Sequence, residues 1–111
     1  MQLDNIPFHS IDRNIQRHCN GIHDEFDIIM TNSESVMITE VKYKFHPKNV
    51  KKVLTKMSNY RKLYPHNHHL KIYGAIAGKL LSSDTIDEAK NYNLFVIAHE
   101  GRGIKVLKSP K

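Results

Sequence analysis

Asn20-Gly21 constrains this chain more than any other pair of neighbours. Both residues tolerate positive φ, which a two-residue hairpin turn demands. The segments on either side are therefore expected to pair antiparallel. Upstream, Arg13 to Cys19 alternates, with Ile15 its main apolar member. A helix from Ser10 is the competing reading, since Ile11 and Ile15 also fit helical spacing; the Asn-Gly turn favours the strand. Downstream, Asp24 to Thr31 reads as a second strand, with Phe26, Ile28 and Met30 on one face and Glu25, Asp27 and Ile29 on the other. Asn32 to Ser35 is a polar turn. Ser35 to Lys44 is a third strand, with Met37, Thr39, Val41 and Tyr43 opposite Val36, Ile38, Glu40, Lys42 and Lys44. The three strands form an antiparallel meander.

The pattern then changes period. Pro47 suits the first turn of a helix, and Lys48 to Tyr64 carries Val50, Val53, Leu54, Met57 and Tyr60 or Tyr64 as an apolar stripe. Lys48, Lys52 and Lys56 recur on its flank, and Pro65 ends it. Leu70 to Ala77 is almost continuously apolar, as a strand buried on both faces must be, and Gly78 closes it. Ser83 to Asn91 is a short helix with Ser83 as its cap. Leu94 to His99 and Ile104 to Leu107 are further strands. Pro7 blocks a continuous helix over residues 1–12. With 111 residues and no repeat or linker, the chain reads as one domain spanning 1–111. A strand–helix–strand crossover after Lys44 places a parallel strand beside the meander. The fold class is α/β, a mixed β-sheet flanked by helices.

Composition excludes several classes. Apolar residues make up 40% and charged residues 25%, which is neither disordered nor low-complexity. No apolar run approaches the ~18 residues of a membrane span. The N-terminus has neither the basic nor the apolar region of a secretory signal. The single cysteine, Cys19, cannot form an intrachain disulfide, packs as a small hydrophobe and fits a reducing, cytoplasmic location.

The net charge of +6 is unevenly spread. Five of the eleven acids lie between Asp24 and Glu40. From Val41 to Ser83 there is no acid and there are ten bases. A carboxylate knot followed by a basic block suggests a metal site beside a polyanion surface. A solvated lysine-rich face is the plainer reading of the bases alone.

Glu40 and Lys42 share a face of the third strand, and burying either alone costs several kcal/mol. With the turn at Asn32 to Ser35, residues 27 and 40 fall opposite one another. Asp27 and Glu40 then become cross-strand neighbours that repel, a conflict that a hard divalent cation removes. A salt-bridged edge face is the alternative. The His66-Asn67-His68-His69 cluster lies in a loop after Pro65, where adjacent histidines converge poorly on a metal. Tyr43, Tyr60 and Tyr64 can stack on bases, although packing along the helix stripe explains the latter two first.

Asp27 followed by Glu40-Val41-Lys42 resembles the signature of the PD-(D/E)XK nuclease superfamily. The context is similar too: an acidic strand EFDIIM, an apolar strand ending TEVKYK, a helix and a buried strand, over roughly residues 13–98. The resemblance implies a restriction-endonuclease-like sheet and metal-dependent phosphodiester hydrolysis, with DNA as partner. Asp27, Glu40 and Lys42 would be catalytic. Mg²⁺ or Mn²⁺ would be held by Asp27, Glu40 and the Val41 backbone carbonyl, with Glu25 a candidate extra acid or simply solvated. Lys42 would position or deprotonate the attacking water or offset phosphate charge, and Lys44, Lys48, Lys52 and Lys56 would contact backbone phosphates. The chain departs from the pattern in three places. Phe26 stands where the motif has proline, the long helix carries no Gln, and only residues 1–12 precede the first strand, where the family places a helix. The resemblance thus leaves the N-terminal core helix absent or supplied by a second copy or a partner. Two alternatives stand beside the nuclease: a non-catalytic nucleic-acid-binding or assembly module on the same fold, and a pure protein-interaction subunit.

Overall fold

A computed structural model describes residues 8–99 in full, and residues 2–3, 6–7, 100 and 103–108 as backbone strands. In chain order the strands are β1 (Gln2–Leu3), β2 (Ile6–Pro7), β3 (Ser10–Cys19), β4 (Ile22–Thr31), β5 (Ser35–Val41) and β6 (Lys44–Phe45). Helix α1 (Lys51–Leu63) follows, then β7 (Lys71–Gly78), β8 (Leu80–Leu81), helix α2 (Ser83–Asn91), β9 (Phe95–Glu100) and β10 (Gly103–Lys108). Six strands form one mixed sheet in the order β10-β9-β7-β5-β4-β3. The expected meander β3-β4-β5 is antiparallel, and β5-β7 and β7-β9 are parallel. The fold is mixed α/β.

The Asn20-Gly21 turn forms as its chemistry demands, with φ of 51° and 80°. The strand expected from Arg13 begins three residues earlier, at Ser10, and the helix alternative does not form. In the segment before β3, residues 2–3 and 6–7 pair as a two-stranded ladder. Helix α1 ends at Leu63, one residue before the expected Tyr64, and residues 47–49 make a separate 3-10 turn headed by Pro47. The cap of α2 is Ser82 rather than Ser83: its hydroxyl accepts the Thr85 N–H at 3.2 Å. Ser82 has the extended backbone a cap needs, whereas Ser83 is already helical. The expected third strand over 35–44 divides into β5 and β6, and Lys42 N–H still donates to the Ala77 carbonyl between them.

Both helices pack on the same face of the sheet. Tyr60 and Leu63 of α1 cover Phe26, Ile29, Val36 and Ile38, while Val53 of α1 and Ala89 of α2 cover Ile76 and Val96. Gly74 lets α1 come close: a Cβ there would meet Met57 Sδ at 2.5 Å and Val53 Cγ1 at 2.9 Å. Cys19 is half-buried and packs against the Phe26–Tyr60 core. The loop after α1 is closed by its polar residues, with Asn67 donating to the Tyr60 hydroxyl and the His68 ring against the Pro65 carbonyl.

The opposite face is built from Met30, Met37, Ala75, Phe95 and Ile97, and Phe8 lies on it. Neither helix contributes to that cluster. Part of the face opens as a hollow of about 590 Å³.

The strict alternation expected across the second strand breaks at Asp27. Phe26 and Ile29 share the helix face, while Ile28 and Met30 lie on the other. The β3–β4 ladder skips Asn14 and Asp27 and resumes in the same register, with Ile15 opposite Phe26 and Arg13 opposite Ile28. Asn14 has φ of 52°. Each strand thus spends one residue on a local twist, which frees the Asp27 side chain from either face.

Candidate functional site

The two carboxylates expected to meet do so. The β4–β5 register pairs Ile28 with Thr39, so Asp27 and Glu40 are the next positions along the two strands. No further rung forms there. Instead Asp27 Oδ2 accepts the Val41 N–H at 2.8 Å, taking the place of a ladder bond. That contact explains the broken alternation: the Asp27 side chain turns toward β5 at the end of the β4–β5 ladder. One Asp27 oxygen is committed to the backbone, and the carboxyl also contacts Glu40.

Glu40 lies on the helix face with a side chain only 12% exposed. Burial, and then the neighbouring Asp27 charge, raise its pKa; the Lys56 and Lys42 charges oppose them, and contact with the Asp27 carboxyl adds to the rise. The Oε2 atom of Glu40 is buried and has no hydrogen-bond donor. An ionised carboxylate oxygen in that state is costly. A hard divalent cation fits the need: it would draw the two carboxylates together and satisfy the orphaned oxygen, and Mg²⁺ takes one or two carboxylates and completes its shell with water. Among the described residues no larger group of three or more His, Cys, Asp or Glu side chains gathers.

Lys42 lies two residues beyond Glu40, half-buried, with its N–H tied to the Ala77 carbonyl at 3.0 Å. Its charge reaches Glu40. Gly78 makes its position possible, because a Cβ there would stand 2.6 Å from the Lys42 carbonyl oxygen. Val41 is 45% exposed and carries the link between the two acids. Glu25, the candidate extra acid, is exposed, and its backbone carbonyl rather than its carboxylate meets Lys56.

Lys56 departs furthest from its expected place. Lys44, Lys48 and Lys52 are exposed, as phosphate contacts must be. Lys56 points inward with a side chain 15% exposed. Its ammonium lies 3.0 Å from Asp24 Oδ1 and 3.7 Å from Glu40 Oε2. Burial alone would lower its pKa, but the Asp24 hydrogen bond and the Glu40, Asp24 and Asp27 charges together raise it. Asp24, absent from the expected site, is held by Asn59 Nδ2 at 2.9 Å as well. Burial pushes its pKa up, yet the Asn59, Lys56 and Glu25 N–H hydrogen bonds prevail and leave it low. The sequence signal for this pair was present: Asp24 lies two residues from Phe26, and Lys56 and Asn59 are one turn apart on α1.

Of the three tyrosines able to stack, two are used in the core. Tyr60 is 1% exposed, Tyr64 stacks on it at 4.4 Å between ring centres, and the Arg17 guanidinium covers Tyr64 at 4.2 Å. Tyr43 is 67% exposed.

Residues 10–105 match a family described as a domain of unknown function, DUF8196, and the chain belongs to it. No curated protein and no solved structure matches the chain. Among the described residues no helix is long and apolar enough to cross a membrane.

Proposed function

We propose that this domain is a metal-dependent nuclease of restriction-endonuclease-like fold that hydrolyses phosphodiester bonds in DNA. One observation carries the reading: Asp27 and Glu40 are neighbours at the end of a β-hairpin ladder, with a buried Glu40 oxygen that no hydrogen bond satisfies and that the Lys56 ammonium approaches only to 3.7 Å. Asp27, Glu40 and the Val41 carbonyl would hold Mg²⁺ or Mn²⁺. When bound, such an ion lowers the pKa of water and offsets negative charge developing at phosphorus. The chain's own groups do the rest. Asp27 fixes the Val41 backbone and so the spacing of Glu40 and Lys42. Lys42 places its ammonium beside the carboxylates, where it orients the attacking water or balances charge on the phosphate. Lys56, held by Asp24, faces Glu40 from behind. Lys44, Lys48 and Lys52 offer exposed charge to backbone phosphates.

The test is a cleavage assay on plasmid, single-stranded and branched DNA with Mn²⁺, Mg²⁺ or EDTA. The expected result is metal-dependent nicking that Asp27→Ala abolishes and Lys42→Ala slows by roughly 100-fold or more. Cleavage that survives EDTA or both substitutions would overturn the assignment.

A second reading has its own support. Lys56 already sits 3.7 Å from Glu40 and neutralises part of the carboxylate charge without a metal. A non-catalytic nucleic-acid-binding module would keep this arrangement for stability alone. It would bind DNA in a salt-dependent way, unchanged by Asp27→Ala.

A further inference from the structure

The hollow on the face opposite the helices has a wall that packing does not explain. Ile28, Met30 and Ile97 give it an apolar floor. Arg13, Lys42, Lys79 and His99 stand among its lining residues, and no acid does. Among the described residues the exposed large hydrophobics are Ile11, Val41, Tyr43 and Leu80, and the first three line this one hollow. An apolar bed with a cationic margin fits a ligand that is flat and apolar at one end and anionic at the other. At about 590 Å³ the hollow has room for a nucleobase with its sugar.

Its place relative to the carboxylates narrows the class. Glu40 lies on the helix face of β5, and Val41, the next residue, lines the hollow. Consecutive strand residues project to opposite faces about 3.3 Å apart along the chain. Lys42 belongs to both places, since it lines the hollow and its charge reaches Glu40. A strand whose phosphate lay at the carboxylates would thus have its neighbouring nucleotide at the mouth of the hollow. Tyr43 offers an exposed ring there, with the Lys79 ammonium 6.0 Å from its centre. Base stacking on an aromatic ring beside cations is how proteins hold unpaired strands. A paired base presents neither of its faces.

We infer that this hollow receives one unpaired nucleotide next to the scissile phosphate, so that the substrate is single-stranded, flapped or locally opened nucleic acid rather than intact duplex. The inference rests on the nuclease reading and adds the substrate's structure to it.

The experiment measures binding by fluorescence anisotropy, in EDTA and low salt, so that cleavage plays no part. The probes are a labelled single-stranded DNA 12-mer, its duplex, and the same single strand with one central abasic position. The proteins are the full chain, Tyr43→Ala and Tyr43→Phe, with circular dichroism to check the fold. The single strand is expected to bind roughly tenfold tighter than the duplex. Tyr43→Ala should erase most of that preference, Tyr43→Phe should keep it, and the abasic strand should bind more weakly than the intact one. Equal affinity for single strand and duplex, or a preference indifferent to Tyr43→Ala, would overturn the inference and leave the nuclease reading standing. No binding to any probe would overturn both. A dimer that Tyr43→Ala dissociates, with strand binding unchanged, would assign the hollow to a second copy of the chain and overturn the inference.

Discussion

The two faces of the central sheet solve the burial problem differently. The helix face is sealed: Val36, Ile38, Val53, Leu63 and Ile76 have no exposed surface. Its charged groups gather where Lys56 bridges Asp24 and Glu40. The other face is sealed only in part, and its open part carries exposed apolar side chains with cations around them. The helix face is closed throughout its core and holds Glu40, while the other face has its own buried cluster but leaves the side chains at the hollow uncovered.

Truncation on each face should break this contrast if it is wrong. Leu63→Ala is expected to cost about 3 kcal/mol in urea unfolding, since it empties a packed site. Val41→Ala on the open face should cost less than about 0.5 kcal/mol. Equal costs would mean that the open face is as structural as the closed one.

The polar end of the closed face gives the next largest effect. Lys56→Met removes the cation shared by Asp24 and Glu40 and should destabilise the fold by about 2 kcal/mol at neutral pH. Asp24 has a lowered pKa, so its contribution is present above its ordinary value of 3.8 and is lost as pH falls through the folded value. The Lys56→Met penalty should therefore fade below about pH 4. A penalty that stays constant into acid would show that Lys56 acts through the Glu25 carbonyl, which does not titrate, rather than through the carboxylates.

Glu40 has the opposite sign. Its pKa is raised above the ordinary 4.5, so the folded state holds the proton more tightly than the unfolded chain. Stability from that group is full below 4.5 and declines as pH rises through the folded value. Glu40→Gln removes the charge and should raise stability by about 1 kcal/mol at neutral pH without metal. Millimolar Mg²⁺ or Mn²⁺ should raise the melting temperature of the wild type and leave that of Glu40→Gln unmoved. A smaller effect marks the base of the open face, where the Thr39 hydroxyl is buried without a partner. Thr39→Val should be neutral or stabilising by less than about 1 kcal/mol, because no hydrogen bond is lost.

Much of the fold was legible because local chemistry and tertiary structure agree. Asn20-Gly21 fixed the first hairpin, and the Asn32–Ser35 turn set a register in which Asp27 and Glu40 meet. The apolar run before Gly78 announced a strand covered on both sides. What escaped depends on partners distant in the chain. The twist at Asp27 exists because its side chain accepts a hydrogen bond from Val41, fourteen positions on, and no alternation pattern encodes that contact. Lys56 reads as a flank lysine from its spacing with Lys48 and Lys52. The phase of α1, however, is set by Val53 and Met57 packing over Gly74 and by Tyr60 and Leu63 covering Phe26 and Val36, and that rotation turns Lys56 inward. The Ser82 cap was displaced by one residue, within the usual ambiguity of helix ends.

Strand β3 forms one border of the main sheet and is ten residues long. A border of that length is ordinarily a template on which further chains can add, strand upon strand, into aggregates. Here Asp12, Arg13 and Arg17 place charge along it, and the positive φ of Asn14 interrupts its row of free amide groups midway. The same local twist that accompanies the turned Asp27 side chain is therefore expected to oppose edge-to-edge pairing of neighbouring molecules, a second consequence of the irregularity beside the candidate site.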